Sequence, residues 1–447
     1  MLLHFGNKPT LVVSSPDAPR EILQTHDVIF SNRPDSSFAR QLLYNHKDIV
    51  FAPYGEYWRQ VRRIFVLQLL STKRVQSLQQ VREEEVKEMM ENIQRSCSNL
   101  PSFSALVDLS EVLMSLTNDI TSRVALGKKY GGEEGSGRRL RKMFTELGYL
   151  LGIFNVGDFI PWLGWVNYVI GLEERVEKNF AEIDSFIDEV IEDHIHGKRR
   201  EYVGNYDADG GGKDFVDFLL RMQQDKSAEI TLGIEHIKAI VLGMFSAGTE
   251  TSHSLLESTM ARLLKHPEFM EEIQKEVRAV AFAAGRENIK EDDIEQMHYL
   301  KAVIKETLRL HPPIPLFQHE STEEAKLKGY DIPAKTTVII NAWAIGRDPT
   351  SWIDPEEFKP KRFFNDASSI DFKGRDFQLI PFGAGRRGCP GTHFAIAVVE
   401  LALANLLHKF DWALPNGAHG EALDITEAPG ISSHLKSPLL AVATPHY

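Results

Sequence analysis

Cys389 stands where a glycine- and arginine-rich turn, PFGAGRRGCPG, meets the apolar run FAIAVVELALANLL. The chain has one other cysteine, Cys97 in the polar stretch QRSCSN, so its 447 residues hold no disulfide framework. A helix that starts just after Cys389 aims backbone N–H groups and its positive dipole end at the sulfur, which favours the thiolate, the form that binds a metal. Gly383, Gly385 and Gly388 let the preceding backbone turn tightly and approach a flat partner, and Gly391 allows close packing where the helix begins. Arg387, two residues before the sulfur, is placed to meet an anionic group on that partner's edge. By composition alone, a buried cysteine opening a core helix is the commoner outcome, and that alternative stands at this point.

Three other spacings carry chemistry. In FSAGTETS, Ala247 and Gly248 weaken the ladder of a long helix, and the Thr251 hydroxyl can turn back to the carbonyl of residue 247, opening a bend beside the acid Glu250. In KETLRLHPPIP, Glu306 and Arg309 share one helix face before Pro312 and Pro313 end the helix, a pairing that on a surface is worth little. In YWRQVRR, Trp58 and Arg62 lie four apart on one face, which by itself also fits an amphipathic surface helix.

The elements that must position these groups are mostly helical. Apolar periodicity predicts helices over 57–70, 72–96, 107–126, 171–196, 231–265 and 267–283. LLHF, GNKP and TLVV read as strand, turn and strand at the start of the chain, and SPDAPREILQ announces a helix with Ser15 as N-cap and Pro16 at its first position. Short β-type runs return late, chiefly TTVIIN at 336–341. The fold class expected is mainly α with small β-sheets, in one unit over 1–447, since no Pro/Ser-rich linker divides the chain. The stretch NYDADGGGKD at 205–214 reads as an acidic loop. Its glycines lack the spacing of a phosphate loop, and GSGRRL from Gly135 lacks the third glycine of a dinucleotide fingerprint.

Composition excludes several classes. A chain 43% hydrophobic and 26% charged can bury an extensive core, and a formal charge of −12 argues against nucleic acid as partner. No window holds the eighteen apolar residues of a membrane span, and no signal core follows Met1.

Taken together, Phe382, Gly385, Arg387, Cys389 and Gly391 resemble the haem-binding loop of the cytochromes P450, the haem-thiolate monooxygenases. YWRQVRR resembles the family's WxxxR helix, AGTETS its acid–alcohol pair, and KETLRLHPP with Arg362 of FKPKRF its ExxR network. With NAWAIGRDP, the set is similar to the plant A-type members and spans most of the chain. Three departures stand out: Lys361 where the family usually has Glu, His319 near where plant relatives commonly carry a propionate-binding arginine, and Glu250 for the commoner Asp.

The resemblance implies a haem b between the long central helix and the cysteine-loop helix, with Cys389 as iron ligand. It implies haem contacts from Trp58, Arg62, Phe382, Arg387, Gly391 and His319, proton delivery by Thr251 and Glu250, and a structural network of Glu306, Arg309 and Arg362. The substrate pocket is expected from Leu242, Phe245, Ala247, Ile314, Leu316 and Ile431, with 36–51 and 154–165 as lid and entrance. Electrons would come from NADPH through a cytochrome P450 reductase, steered to a basic dish of Arg59, Arg62, Arg63, Lys73, Arg74 and Arg386. The implied activity is O2-dependent oxidation of a small apolar plant metabolite: a terpenoid, coumarin, phenylpropanoid or indolic molecule. Rivals are a haem-thiolate isomerase or dehydratase, whose members commonly lack the threonine, and a non-catalytic haem sensor. Plant members usually begin with a membrane anchor and a proline-rich hinge. An N-terminally truncated chain of an enzyme on the cytosolic face of the endoplasmic reticulum membrane is therefore expected.

Overall fold

The C-terminal strand ties together two distant parts of the chain: β3 (Ala105–Asp108), β11 (Leu440–Pro445) and β8 (Phe410–Ala413) form an antiparallel sheet in the order β3-β11-β8, with Val107 opposite Ala441. A second sheet has the order β1-β2-β7-β4, from β1 (Leu2–Phe5), β2 (Lys8–Val13), β7 (Thr337–Asn341) and β4 (Leu316–Glu320). Its β2–β7 pair is parallel and the other two are antiparallel. Among the described residues there are also two small ribbons, β5 (Ala325–Leu327) with β6 (Tyr330–Ile332), and β9 (Glu427–Ala428) with β10 (His434–Leu435). The computed structural model describes residues 1–130, 136–196, 214–225, 231–364 and 370–446. The acidic stretch and glycine cluster at 205–213, and Gly135, lie outside the described residues.

Helices supply the rest of the frame. The principal ones are α1 (Glu56–Ile64), α2 (Gln79–Ser98), α3 (Leu109–Leu126), α4 (Ser136–Gly152), α5 (Leu172–Ile195), α6 (Phe215–Gln224), α7 (Ile234–Lys265), α8 (Pro267–Ala284), α9 (His298–Leu310) and α10 (Thr392–Lys409). Helix α7, 32 residues and so roughly 48 Å long at 1.5 Å per residue, packs against α3, α9 and α10 and runs through the main apolar core. Helix α10 is apolar almost all round, and Leu401, Ala402, Leu403 and Ala404 are fully buried, as expected of a helix enclosed on every side.

Several boundaries differ from the sequence expectation, each for a local reason. The helix expected over 107–126 starts at Leu109, because Val107 is claimed by the C-terminal strand and the Asp108 carboxylate caps the Glu111 N–H at 3.0 Å. The helix expected over 72–96 is broken at Leu78 into Thr72–Ser77 and α2. Pro16 serves as N-cap, and the helix after it lasts one turn, Asp17–Arg20, before widening into a π-turn at Glu21–Thr25. Helix α1 likewise ends at Ile64 in a π-turn, Phe65–Leu69, and α7 begins at Ile234 with Gly233 as N-cap. The expected entrance segment folds into Val156–Phe159 and Trp165–Val169, with Phe154 and Phe159 packed on Phe5 and Trp162 left 76% exposed.

Candidate active site

The cysteine loop is built to be rigid. Gly383 and Gly385 take positive φ, +67° and +66°, and a Cβ on Gly385 would lie 2.4 Å from the Leu23 carbonyl oxygen and 2.6 Å from the Asp27 carboxylate. Asp27 accepts the Arg386 N–H and pairs with its guanidinium at 3.3 Å, so the loop is clamped from the N-terminal part of the chain. Nothing in the sequence spacing singles out Asp27. Within the loop the Cys389 N–H donates to the Phe382 carbonyl at 2.8 Å, and the Gly391 N–H donates to Sγ at 3.3 Å. Burial pushes the thiol pKa up, while the Gly391 and Thr392 bonds and Arg62 pull it down. Cys389 is nonetheless exposed, so a thiol deep in the protein fronts an internal opening.

Positive charge collects beside it. Trp58 is buried, its indole N–H donates to the Ile49 carbonyl at 3.0 Å, and the Arg387 guanidinium stacks 4.2 Å over its ring. Arg387 also donates to the carbonyls of Ser31 at 2.7 Å and Ala52 at 2.6 Å. Arg33, which sequence reasoning missed, donates to the carbonyls of Val50 at 2.9 Å and of Gln318. Burial first, and then Arg33, push Arg387 down to about 8, and burial takes Arg33 to about 10. Their carboxylate neighbour is Asp48, held by the N–H groups of Val50 and Phe51 and itself raised by burial. Arg62, one turn beyond Trp58 on α1, makes no hydrogen bond or ion pair among the described residues. His319 is 4% exposed and hydrogen-bonded through Nδ1 to the Phe30 carbonyl at 2.8 Å, and burial with Arg33 pushes it down to about 3. It is therefore neutral, with Nδ1–H donating. Arg33 and Arg387 thus share one carboxylate, Asp48, with Arg62 as a further cation beside Arg387, a surplus that bound anions would balance.

On α7 the Thr251 hydroxyl donates to the Ala247 carbonyl at 2.6 Å. Ala247 is exposed in the middle of a helix whose Leu242 and Phe245 are each 1% exposed, so this face also fronts an opening. Phe245 packs on Phe144, ring centroids 4.4 Å apart, and on Phe186. Ile314 and Ile431 are half-buried, and Leu316, on β4, is 49% exposed. The Glu250 carboxyl, pushed up to about 8 by burial, accepts the Ser432 hydroxyl at 3.0 Å.

Behind the loop lies a dry ionic network. Arg309 donates through two nitrogens to the two oxygens of Glu306 at 2.8 Å each, and to the carbonyls of Gly346, Pro355 and Glu357. Arg362 and the Lys359 N–H donate to the same carboxylate at 3.0 and 2.7 Å. Lys361, the departure next door, points outward and pairs with Glu272 at 3.0 Å.

A cavity of about 1100 Å³ opens on the cysteine side, with Arg62, Phe382, Cys389, Ile396, Lys301 and Glu400 in its walls and no residue of α7. The donor set suits a haem: one accessible sulfur, a cysteine loop whose Phe382, Gly385 and Gly388 line the same cavity, and an arginine cluster short of anions, which two propionates would supply. The comparisons agree with this fit. The family model described as Cytochrome P450 matches residues 1–441. Over the whole chain, the sequence is 52% identical to Cytochrome P450 736A117 of Prunus mume, covering 84% of that protein. It is 51% identical to Cytochrome P450 71A1 of Persea americana, covering 87%. A zebrafish cytochrome P450 solved with abiraterone shares the fold, with a TM-score of 0.80 at 24% identity, covering all of this chain and 95% of that one.

Proposed function

The chain belongs to the cytochrome P450 family, haem-containing oxidoreductases that receive NADPH-derived electrons through a reductase, and on that premise we propose that it oxidises a small apolar plant specialised metabolite at the expense of O2. The observation that carries the reading is the accessible Cys389 thiol on a clamped loop beside an arginine cluster with one carboxylate, Asp48, for its several cations. Cys389 would hold the iron, and Arg62 and Arg387, with Trp58 stacked beneath Arg387, would hold the propionates, joined by Arg33. His319 would add shape and no charge. When bound, the haem supplies electron transfer to O2 and the oxidising power to break a C–H bond.

The chain's own share is binding, orientation and control of protons. Ala247, Ile314, Leu316 and Ile431, backed by Leu242 and Phe245, would bind the substrate by apolar contact, in keeping with a terpenoid, coumarin, phenylpropanoid or indolic molecule. Thr251 would swing its Oγ1–H off the Ala247 carbonyl to pass a proton, and Glu250, still protonated near neutrality, would replace it. The NADPH–cytochrome P450 reductase would dock on the cysteine side. There Arg59 is paired with Glu56 and Arg386 with Asp27, and Lys301 stands in the cavity wall, so acidic groups of the reductase would compete with pairs already made. Residence at the endoplasmic reticulum membrane belongs to the same proposal.

Replacement of Thr251 by Ala tests it. The variant is expected to keep haem and to consume NADPH while diverting O2 to peroxide, and unchanged coupling of NADPH to product would refute the role. Product formed without NADPH or O2 would mark a rearranging enzyme instead.

A further inference from the structure

Glu250 is gripped from two sides by groups that the reading above does not use. Ser432, 5% exposed in the loop before β10, donates its hydroxyl to Oε2 at 3.0 Å. On the other side the carboxyl rests against α4, where a Cβ on Gly148 would lie 2.6 and 2.8 Å from the two carboxyl oxygens. The Gly148 carbonyl in turn accepts the Ile431 N–H at 3.1 Å, which ties the loop carrying Ser432 to the same glycine. Oε1 has no hydrogen-bond partner among the described residues.

These contacts account for the longer acid. An aspartate is one methylene shorter and would withdraw the carboxyl from both Gly148 and Ser432. They also place the proton. Among the described residues, burial and the Ser432 bond set the titration of this group, and no charged side chain faces it from α4, from α7 or from the loop. A neutral carboxyl whose Oε2 already accepts a hydroxyl carries its own hydrogen on Oε1.

We infer that Ser432 is a positioning residue which, with Gly148, holds Glu250 so that Oε2 is engaged and the proton-bearing Oε1 is free to serve Thr251. The inference rests on the reading of Glu250 and Thr251 as a proton-delivery pair. Each proton that leaves Oε1 breaks one O–H bond there and is made good by one from solvent water. The device also links the acid to the loop at Ile431, expected near the substrate, so that a bound molecule which shifts that loop alters proton delivery.

Infrared difference spectroscopy on the holoenzyme, with peroxide release measured in parallel, is the test. The wild type should show a protonated-carboxyl band that is lost on raising the pH through about 8 and is absent from Glu250→Gln. In Ser432→Ala the band should shift in frequency and its midpoint move upward, because a bond that lowers the pKa is gone. The share of NADPH electrons lost to peroxide should rise several-fold. Ser432→Thr should restore both, and Gly148→Ala, which displaces the carboxyl directly, should reproduce the loss. An unchanged band and unchanged coupling in both Ser432→Ala and Gly148→Ala would overturn the inference. Failure of Thr251→Ala to uncouple would instead remove the underlying reading while leaving the band shift to stand.

Discussion

Arg62 and Cys389 carry opposite halves of one requirement. The thiol is accessible yet raised in pKa by its surroundings, and the guanidinium has no anion among the described residues, so each is incomplete alone. Cys389→Ser is expected to lose the thiolate signature of the reduced, CO-bound haem protein, and a normal spectrum would remove the ligand assignment. Arg62→Ala should leave that signature and release haem faster by roughly tenfold, the size of one charge-assisted hydrogen bond, as read from haem transfer to apomyoglobin. At this scale the sequence singles out groups whose spacing is local, Trp58 with Arg62 and Arg387 with Cys389, and their roles at a haem belong to the proposal. It does not single out Arg33, Asp27 and Asp48, because they act through carbonyls and loop N–H groups that only the folded chain brings near.

The elements that hold the site obey the same division. Helix α9 could be read from Glu306 and Arg309, since their three-residue spacing is local, and the segment bearing Arg362 follows in the motif. Replacement of Glu306 by Gln should leave Arg309 and Arg362 partly unmatched in a dry place, at a cost of about 3–5 kcal/mol, seen as a lower denaturation midpoint and little holoprotein. Lys361→Glu, beside Arg362 in sequence, should change stability by no more than ~1 kcal/mol, because its pair with Glu272 is solvent-exposed. A large effect there would mean that the departure from the family's usual Glu is part of the network. Boundaries that depend on distant partners were harder to read: Val107 and Asp108 fall within the helical period, yet pairing with β11, more than three hundred residues on, takes them as strand.

Over the whole molecule, the mainly α class was plain from periodicity, but the balance of buried charge was not, since burial and not residue type sets it. Half-buried acids lie on one side of that balance: Glu250 is raised to about 8, Glu400 to about 7 and Asp119 to about 6, each chiefly by loss of solvent around the charge. A carboxyl with a raised folded pKa contributes stability that is full below its unfolded value and is lost as the pH rises through its folded value. For these three the loss runs from about 4 to about 8. Buried histidines lie on the other side: His319 is lowered to about 3, and His253 and His311 are lowered too, so their contribution is present above about 6.5 and is lost as the pH falls. The two slopes oppose each other, and the holoenzyme should be most heat-stable in mildly acidic to neutral buffer. Glu250→Gln removes the largest acid contribution without adding charge. Its thermal midpoint should therefore decline less than that of the wild type between about pH 6 and pH 8.5, while the acid limb, set by the histidines, stays the same. Parallel alkaline limbs for the two proteins would mean that Glu250 ionises freely in the folded chain and is not the neutral acid that its burial against Gly148 and Ser432 requires.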